Sequence, residues 1–218
     1  MPIRKIKPYT NGIFHIFNKS INHELLFPQS KDYQRFLNGV RYYQQTNQPV
    51  KLSRYLYFCK KNRQPMKLDG ELLVTIYAYC LMPTHFHFLL KQEKLGGINE
   101  FMHKLQSSYT QYLNSVYNRS GHLFQGRYGL VEINSDEALI HVSRYIHLNP
   151  STAGIIEPNH LKEYRYSSYY EIVHPHIRSK IADTTIIIKN DVESYKQFVL
   201  DNADYQRQLA KIKKYVLE

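Results

Sequence analysis

Two histidines separated by one residue, His85-Phe86-His87, open a stretch that reads as a β-strand. Side chains two apart on a strand project to the same face, so both imidazoles point together and Phe86 and Phe88 point away. That is a geometry for two ligands on one metal ion. It is equally the geometry of two polar residues stacked at a strand end. Zinc ordinarily takes three or four His or Cys ligands, and neither Cys59 nor Cys80 stands at metal-binding spacing. Two His with an oxygen ligand and open positions suit Mg²⁺ or Mn²⁺ holding a phosphate.

A second constellation lies sixty residues on, in Ser143-Arg144-Tyr145-Ile146-His147-Leu148-Asn149-Pro150. On a helix Ala138, Leu139, Val142 and Ile146 form the apolar face. Tyr145 and Asn149, four apart, lie one above the other at its edge, aimed at the sheet. Arg144 is expected to point the other way, to solvent. A phenol titrates near 10 and is a poor nucleophile at neutral pH. A Lewis acid that polarises a phosphate makes its attack feasible. The amide oxygen of Asn149 is the candidate third metal ligand.

These groups must be held by the elements around them. Gly12–Asn18 reads as a strand, and residues 30–45 as a helix opened by Ser30 and Asp32. Residues 46–70 read as a loop containing a short strand at Tyr55-Leu56-Tyr57-Phe58. Leu72–Met82 and His85–Gln92 form a hairpin across Pro83-Thr84. Ile98–Val116 is a long amphipathic helix. A Gly-rich loop over 120–129 precedes a strand at Leu130–Ile133. Ser135 caps a final strong helix, with Asp136 and Glu137 in its first turn, expected to stop near Leu148 before Pro150. The order is that of an α+β, ferredoxin-like split βαβ sandwich with an antiparallel sheet and an added helix bearing Tyr145. The expected domains are 1–156, catalytic with a basic lead-in, and 157–218, a small C-terminal extension. That extension contains a Tyr-rich stretch (164–170), an apolar run (186–188) and a polar helix near 191–200.

Lys and Arg number 29 against 18 Asp and Glu, a formal charge of +11. Such an excess suits a polyanionic partner, nucleic acid or an anionic membrane surface. The chain has 20 Tyr and no Trp, and tyrosines stack on unpaired bases as well as filling cores. No apolar run reaches the length of a membrane span, and no secretory h-region is visible. The expectation is a cytoplasmic protein without a membrane partner. Arg127, in a Gly-flanked loop, either meets a phosphate or is a solvated charge. Lys104, Arg119, Arg144 and Arg165 either line a DNA groove or are ordinary surface charges. His141 either approaches a leaving oxygen or is structural.

The stretch Tyr79–Leu90, containing His85-Phe86-His87, resembles the His-hydrophobe-His signature of the single-tyrosine (HUH) transposases of insertion sequences, the IS200-like superfamily. Ser143–Pro150 resembles their tyrosine helix. The likeness is closest to REP-associated tyrosine transposases, whose tyrosine is likewise followed four residues later by Asn-Pro. Leu123–Tyr128 and Tyr166–Tyr169 also look like segments of that group. The resemblance covers roughly residues 10–170. It implies a divalent metal, Mg²⁺ or Mn²⁺, held by His85, His87 and Asn149. It implies attack by Tyr145 on single-stranded, hairpin-flanked DNA, giving a 5′-phosphotyrosine link and a free 3′-OH. Arg4, Lys5 and Lys7 become candidate contacts to a guide sequence. Monomer and homodimer both remain open. Relaxases usually place the tyrosine ahead of the histidines, and replication initiators often carry Lys three residues after it, where this chain has Leu148. An HUH replication initiator and a domesticated, non-catalytic nucleic-acid-binding protein are the alternative readings.

Overall fold

The structure, a computed structural model, describes residues 6–64, 68–177, 180–189 and 191–208. Four antiparallel strands form one sheet: β1 (Ile13–Lys19), β2 (Val74–Met82), β3 (His85–Gln92) and β4 (Gly129–Ile133). Their spatial order is β2-β3-β1-β4, the order of the ferredoxin-like split βαβ unit. β1 alternates: Phe14 and Ile16 are fully buried on one face, while Ile13, His15 and Phe17 look to the other. β3 follows the same rule, with Phe86, Phe88 and Leu90 on the first face and His85, His87 and Leu89 on the second.

The first face is covered by α1 (Ser30–Tyr43) and α3 (Gly97–Val116). α1 starts with a capping box between Gln29 and Asp32 and buries Tyr33, Phe36, Leu37 and Val40 at helical spacing. α3 starts at Gly97, where a Cβ would stand 2.3 Å from the Leu73 carbonyl oxygen. Only a glycine lets the helix start this close to the strand. Between α1 and β2 the chain forms α2 (Leu52–Asn62), where a loop with a short strand was expected. Leu52 is buried against α1 and α3, and Tyr42 and Tyr55 pack ring to ring at 4.5 Å. Docking of this helical stripe overrides the strand preference of Tyr55–Phe58.

The second face carries α4 (Asp136–Thr152). Ser135 caps it, accepting from the Ala138 N–H at 3.1 Å. The helix runs through Pro150 to Thr152 rather than stopping near Leu148. Proline withholds one N–H, from the Ile146 carbonyl, and the helix closes within a turn, with Ala153 N–H on the Asn149 carbonyl and Ile155 N–H on Pro150's own. α5 (Ser168–Val173), α6 (Thr185–Ile188) and α7 (Val192–Leu200) complete this layer. Their buried residues Tyr169, Ile172, Ile187, Tyr195 and Val199 join Leu139, Ile146 and Leu148 of α4 and the second face of β2 in one apolar cluster.

β2 is the sheet edge on this side, and the chain after α4 closes it. Leu81 N–H donates to the Tyr166 carbonyl at 2.9 Å, and Tyr79 N–H to Ser168 Oγ at 2.8 Å. An edge strand so occupied no longer offers its ladder to another chain. Among the described residues no helix is long and apolar enough to cross a membrane.

Candidate active site

His85 and His87 stand on the second face of β3, their ring centroids 5.1 Å apart. α4 crosses this face and sets Tyr145 above them. The Tyr145 ring meets His87 edge-on at 5.7 Å between centroids. It meets a further histidine, His15 of β1, edge-on at 6.0 Å. His15 Nε2 lies 3.0 Å from His87 Nδ1. His85 Nδ1 lies 3.2 Å from the Thr84 hydroxyl.

The rotation of α4 that aims Tyr145 here is fixed from behind. His147 is fully buried, with Nδ1 2.8 Å from the Tyr195 hydroxyl and Nε2 2.7 Å from Ser168 Oγ. Ser143, one turn earlier, also meets the Tyr195 hydroxyl, at 2.8 Å. Positions 143 and 147 thus face the C-terminal layer, while Tyr145 faces the histidines. Asn149 is nearly buried and donates through Nδ2 to the Tyr145 carbonyl at 2.8 Å. Its Oδ1 is thereby left to act as an acceptor or ligand.

These groups open onto a cleft of about 480 Å³ lined by Phe17, Asn18, Lys19, His85, His87, Gln125, Arg127, Gly129 and Tyr145. Tyr145 remains 43% exposed, enough for a substrate to reach its hydroxyl. A larger groove of about 760 Å³ adjoins along the 122–127 loop and shares Gln125 and Arg127. Burial lowers the pKa of all three histidines: His15 falls to about 4, and His87 goes well below the usual range, helped by its neighbours His15 and His85. Lys19 adds to the effect at His85. All three imidazoles are therefore neutral at pH 7, the form that binds a metal. Burial raises Tyr145, and a hydrogen bond from Asn149 pulls it partly back.

Among the described residues no three His, Cys, Asp or Glu gather to hold a metal ion. Two imidazoles, His85 and His87, line the cleft; Asn149, one turn beyond Tyr145 on α4, is not among its lining residues. The two imidazoles have the chemistry of ligands to a divalent cation: Nδ1 of each is engaged elsewhere, and among the described residues neither Nε2 has a hydrogen-bond partner.

The predicted DNA-contacting residues divide. Arg127 lines the cleft. Lys104 lies in a different groove, between α1, α2 and α3, and bonds to Glu100 and Gln48. Arg119 pairs with Glu24. Arg144 does not point to free solvent: its guanidinium lies 4.1 Å over the Phe198 ring of α7 and hydrogen-bonds His141 at 2.8 Å. His141 is thereby turned to α7 as well, 5.6 Å from Phe198, away from the cleft. Lys7 and Arg165 are exposed; Arg4 and Lys5 lie outside the described residues. Sequence reasoning missed His15 and Lys19. The period-two alternation of Ile13-Phe14-His15-Ile16-Phe17 was the signal for the first, once β1 is placed beside β3.

A four-stranded sheet of order β2-β3-β1-β4, with a histidine pair on its second face beneath a tyrosine-bearing helix, defines a ferredoxin-like α+β protein. Residues 65–149 match the family model described as transposase IS200 like. The fold is similar to that of a solved REP-associated tyrosine transposase bound to a REP hairpin: TM-score 0.56, 14% identity, covering 85% of this chain and 94% of that one. None of the curated proteins matches the chain in sequence.

Proposed function

We propose that this chain is a transposase that cleaves and rejoins single-stranded DNA through Tyr145, with a divalent metal, Mg²⁺ or Mn²⁺, held by His85, His87 and Asn149. The observation that carries the reading is the Tyr145 ring packed edge-on at 5.7 Å against His87 within one open cleft.

The scissile phosphate enters the cleft beside Arg127 and Lys19, whose charges hold it. Asn149 and the two imidazoles would hold the cation beside Tyr145. A bound divalent cation supplies Lewis-acid polarisation of that phosphate. The Tyr145 oxygen bonds to phosphorus as the bond from phosphorus to the 3′ oxygen breaks. The phenol proton passes to solvent through the open side of the cleft, and the departing 3′ oxygen takes up a proton. The 5′ phosphate stays esterified to Tyr145, which keeps the bond energy for rejoining. A hairpin-forming strand is the proposed substrate, on the family resemblance and on the hairpin bound by the structural relative.

The test is incubation of the full chain with end-labelled single-stranded hairpin DNA and Mn²⁺, followed by a denaturing gel. The expected result is a protein–DNA adduct that requires metal and disappears in Tyr145→Phe. An adduct that survives that substitution, or cleavage with no adduct, overturns the reading.

A further inference from the structure

A neutral imidazole carries one N–H and one lone pair. For a histidine to present Nε2 to a cation, its proton must sit on Nδ1, and that N–H must find an acceptor. At His85 the acceptor is on hand: the Thr84 hydroxyl, 3.2 Å from Nδ1. At His87 the atom within reach of Nδ1 is Nε2 of His15, at 3.0 Å. Only one direction of that bond suits metal binding. If His15 donates, the His87 proton moves to Nε2 and points into the cleft. If His87 donates, its Nε2 lone pair faces the cleft, and His15 carries its own proton on Nδ1.

The contact is set by strand register. In the β1–β3 ladder His87 is opposite Phe17, and His15 is opposite Leu89. All four side chains share one face, and the diagonal pair His15–His87 is close enough for its rings to stack at 5.2 Å with planes 23° apart. A one-residue slip would send His15 to the apolar face under α1 and α3. His87 is almost completely buried, so water is a poor substitute for the acceptor.

We infer that His15 is a positioning residue: it accepts the Nδ1–H of His87, fixes the tautomer and ring rotation that turn His87 Nε2 to the cation, and does not bind the cation itself. This rests on the metal reading above and adds a residue to it.

The experiment titrates Mn²⁺ into the full chain without DNA, by calorimetry or by the paramagnetic resonance signal of free Mn²⁺. The proteins are wild type, His15→Ala, His15→Phe, His15→Gln and His87→Ala. His15→Phe keeps a stacking ring but has no acceptor, and His15→Gln keeps an acceptor oxygen. Loss of a group that orients a metal ligand weakens affinity about 10- to 100-fold. That loss is expected in His15→Ala and His15→Phe, partial recovery in His15→Gln, and the largest loss in His87→Ala. Binding within twofold of wild type in His15→Phe overturns the inference and leaves the metal reading standing. So does a His15→Gln protein no better than His15→Phe. A His15→Ala loss as complete as that of His87→Ala makes His15 a ligand and also overturns it. A wild-type chain that takes up no Mn²⁺ sinks both.

Discussion

Phe17 and Gly129 face each other across the β1–β4 ladder at the mouth of the cleft. A Cβ at position 129 would stand 2.4 Å from the Phe17 ring, so Gly129→Ala must move that ring. Phe17 is 37% exposed and has room to swing, which puts the cost near the low end of overpacking changes, about 1 kcal/mol. The expected result is a modestly lower melting temperature together with weaker DNA cleavage, because the displaced ring enters the cleft. An unchanged melt and an unchanged cleavage rate would show that the Phe17 ring is not held there. At this scale the sequence was readable where chemistry has a spacing. His85 and His87 fall on one strand face, and Tyr145 and Asn149 on one helix face, by periodicity alone. His15 was not readable, because its contact depends on which strand lies beside β3, and that is a property of topology. The same holds for Arg144. A wheel of α4 alone sends it outward, and only the docking of α7 places Phe198 beneath it.

The element that carries Tyr145, α4, is held by one polar cluster within an apolar layer. The Tyr195 hydroxyl meets both Ser143 Oγ and His147 Nδ1 at 2.8 Å. His147 passes the connection to Ser168, which also holds the β2 backbone at Tyr79. Tyr195→Phe leaves the ring but strips a partner from two buried groups, a change that costs about 1–3 kcal/mol. Denaturant unfolding should report that loss, and amide exchange should quicken in α4 ahead of β1 and β3. A variant as stable as wild type would mean that apolar packing alone fixes α4. Ser135 as cap, the apolar stripe of α4 and the strand order of the hairpin were all legible from local pattern. α2 was not. Tyr55-Leu56-Tyr57-Phe58 has strand-forming residue types, yet Leu52 against Gly39 and Leu105 makes the helix the better-packed choice. Pro150 misled in the same way. It stops a helix that has far to run, but here it stands in the last turn, where few carbonyls still need a donor.

For the molecule as a whole, burying neutral histidines in a strongly basic chain makes stability depend on pH in a definite direction. His147 has no exposed surface, and burial lowers its pKa from 6.5 to about 3. Tyr195, Ser143, Ser168 and the Tyr169 ring surround it. In the unfolded chain it takes up a proton below pH 6.5; in the folded chain it does not until about pH 3. Between those limits the unfolded state binds more protons, so stability rises with pH. It is fully present above 6.5 and is lost as the pH falls toward 3. One such group contributes about 1.4 kcal/mol per pH unit, or about 2 kcal/mol between pH 7 and pH 5. His15, lowered to about 4, works in the same sense. So does the formal charge of +11, which grows as exposed histidines protonate and repel one another. Denaturant unfolding of the metal-free chain should therefore give a plateau from pH 7 to 8 and a decline below 6.5. His147→Gln has no proton to take up. It should be less stable than wild type at pH 7, yet lose less on going to pH 5, so that the two curves converge in acid. Parallel curves would mean that His147 titrates normally in the folded chain, and the buried cluster behind α4 would then have to be open to water.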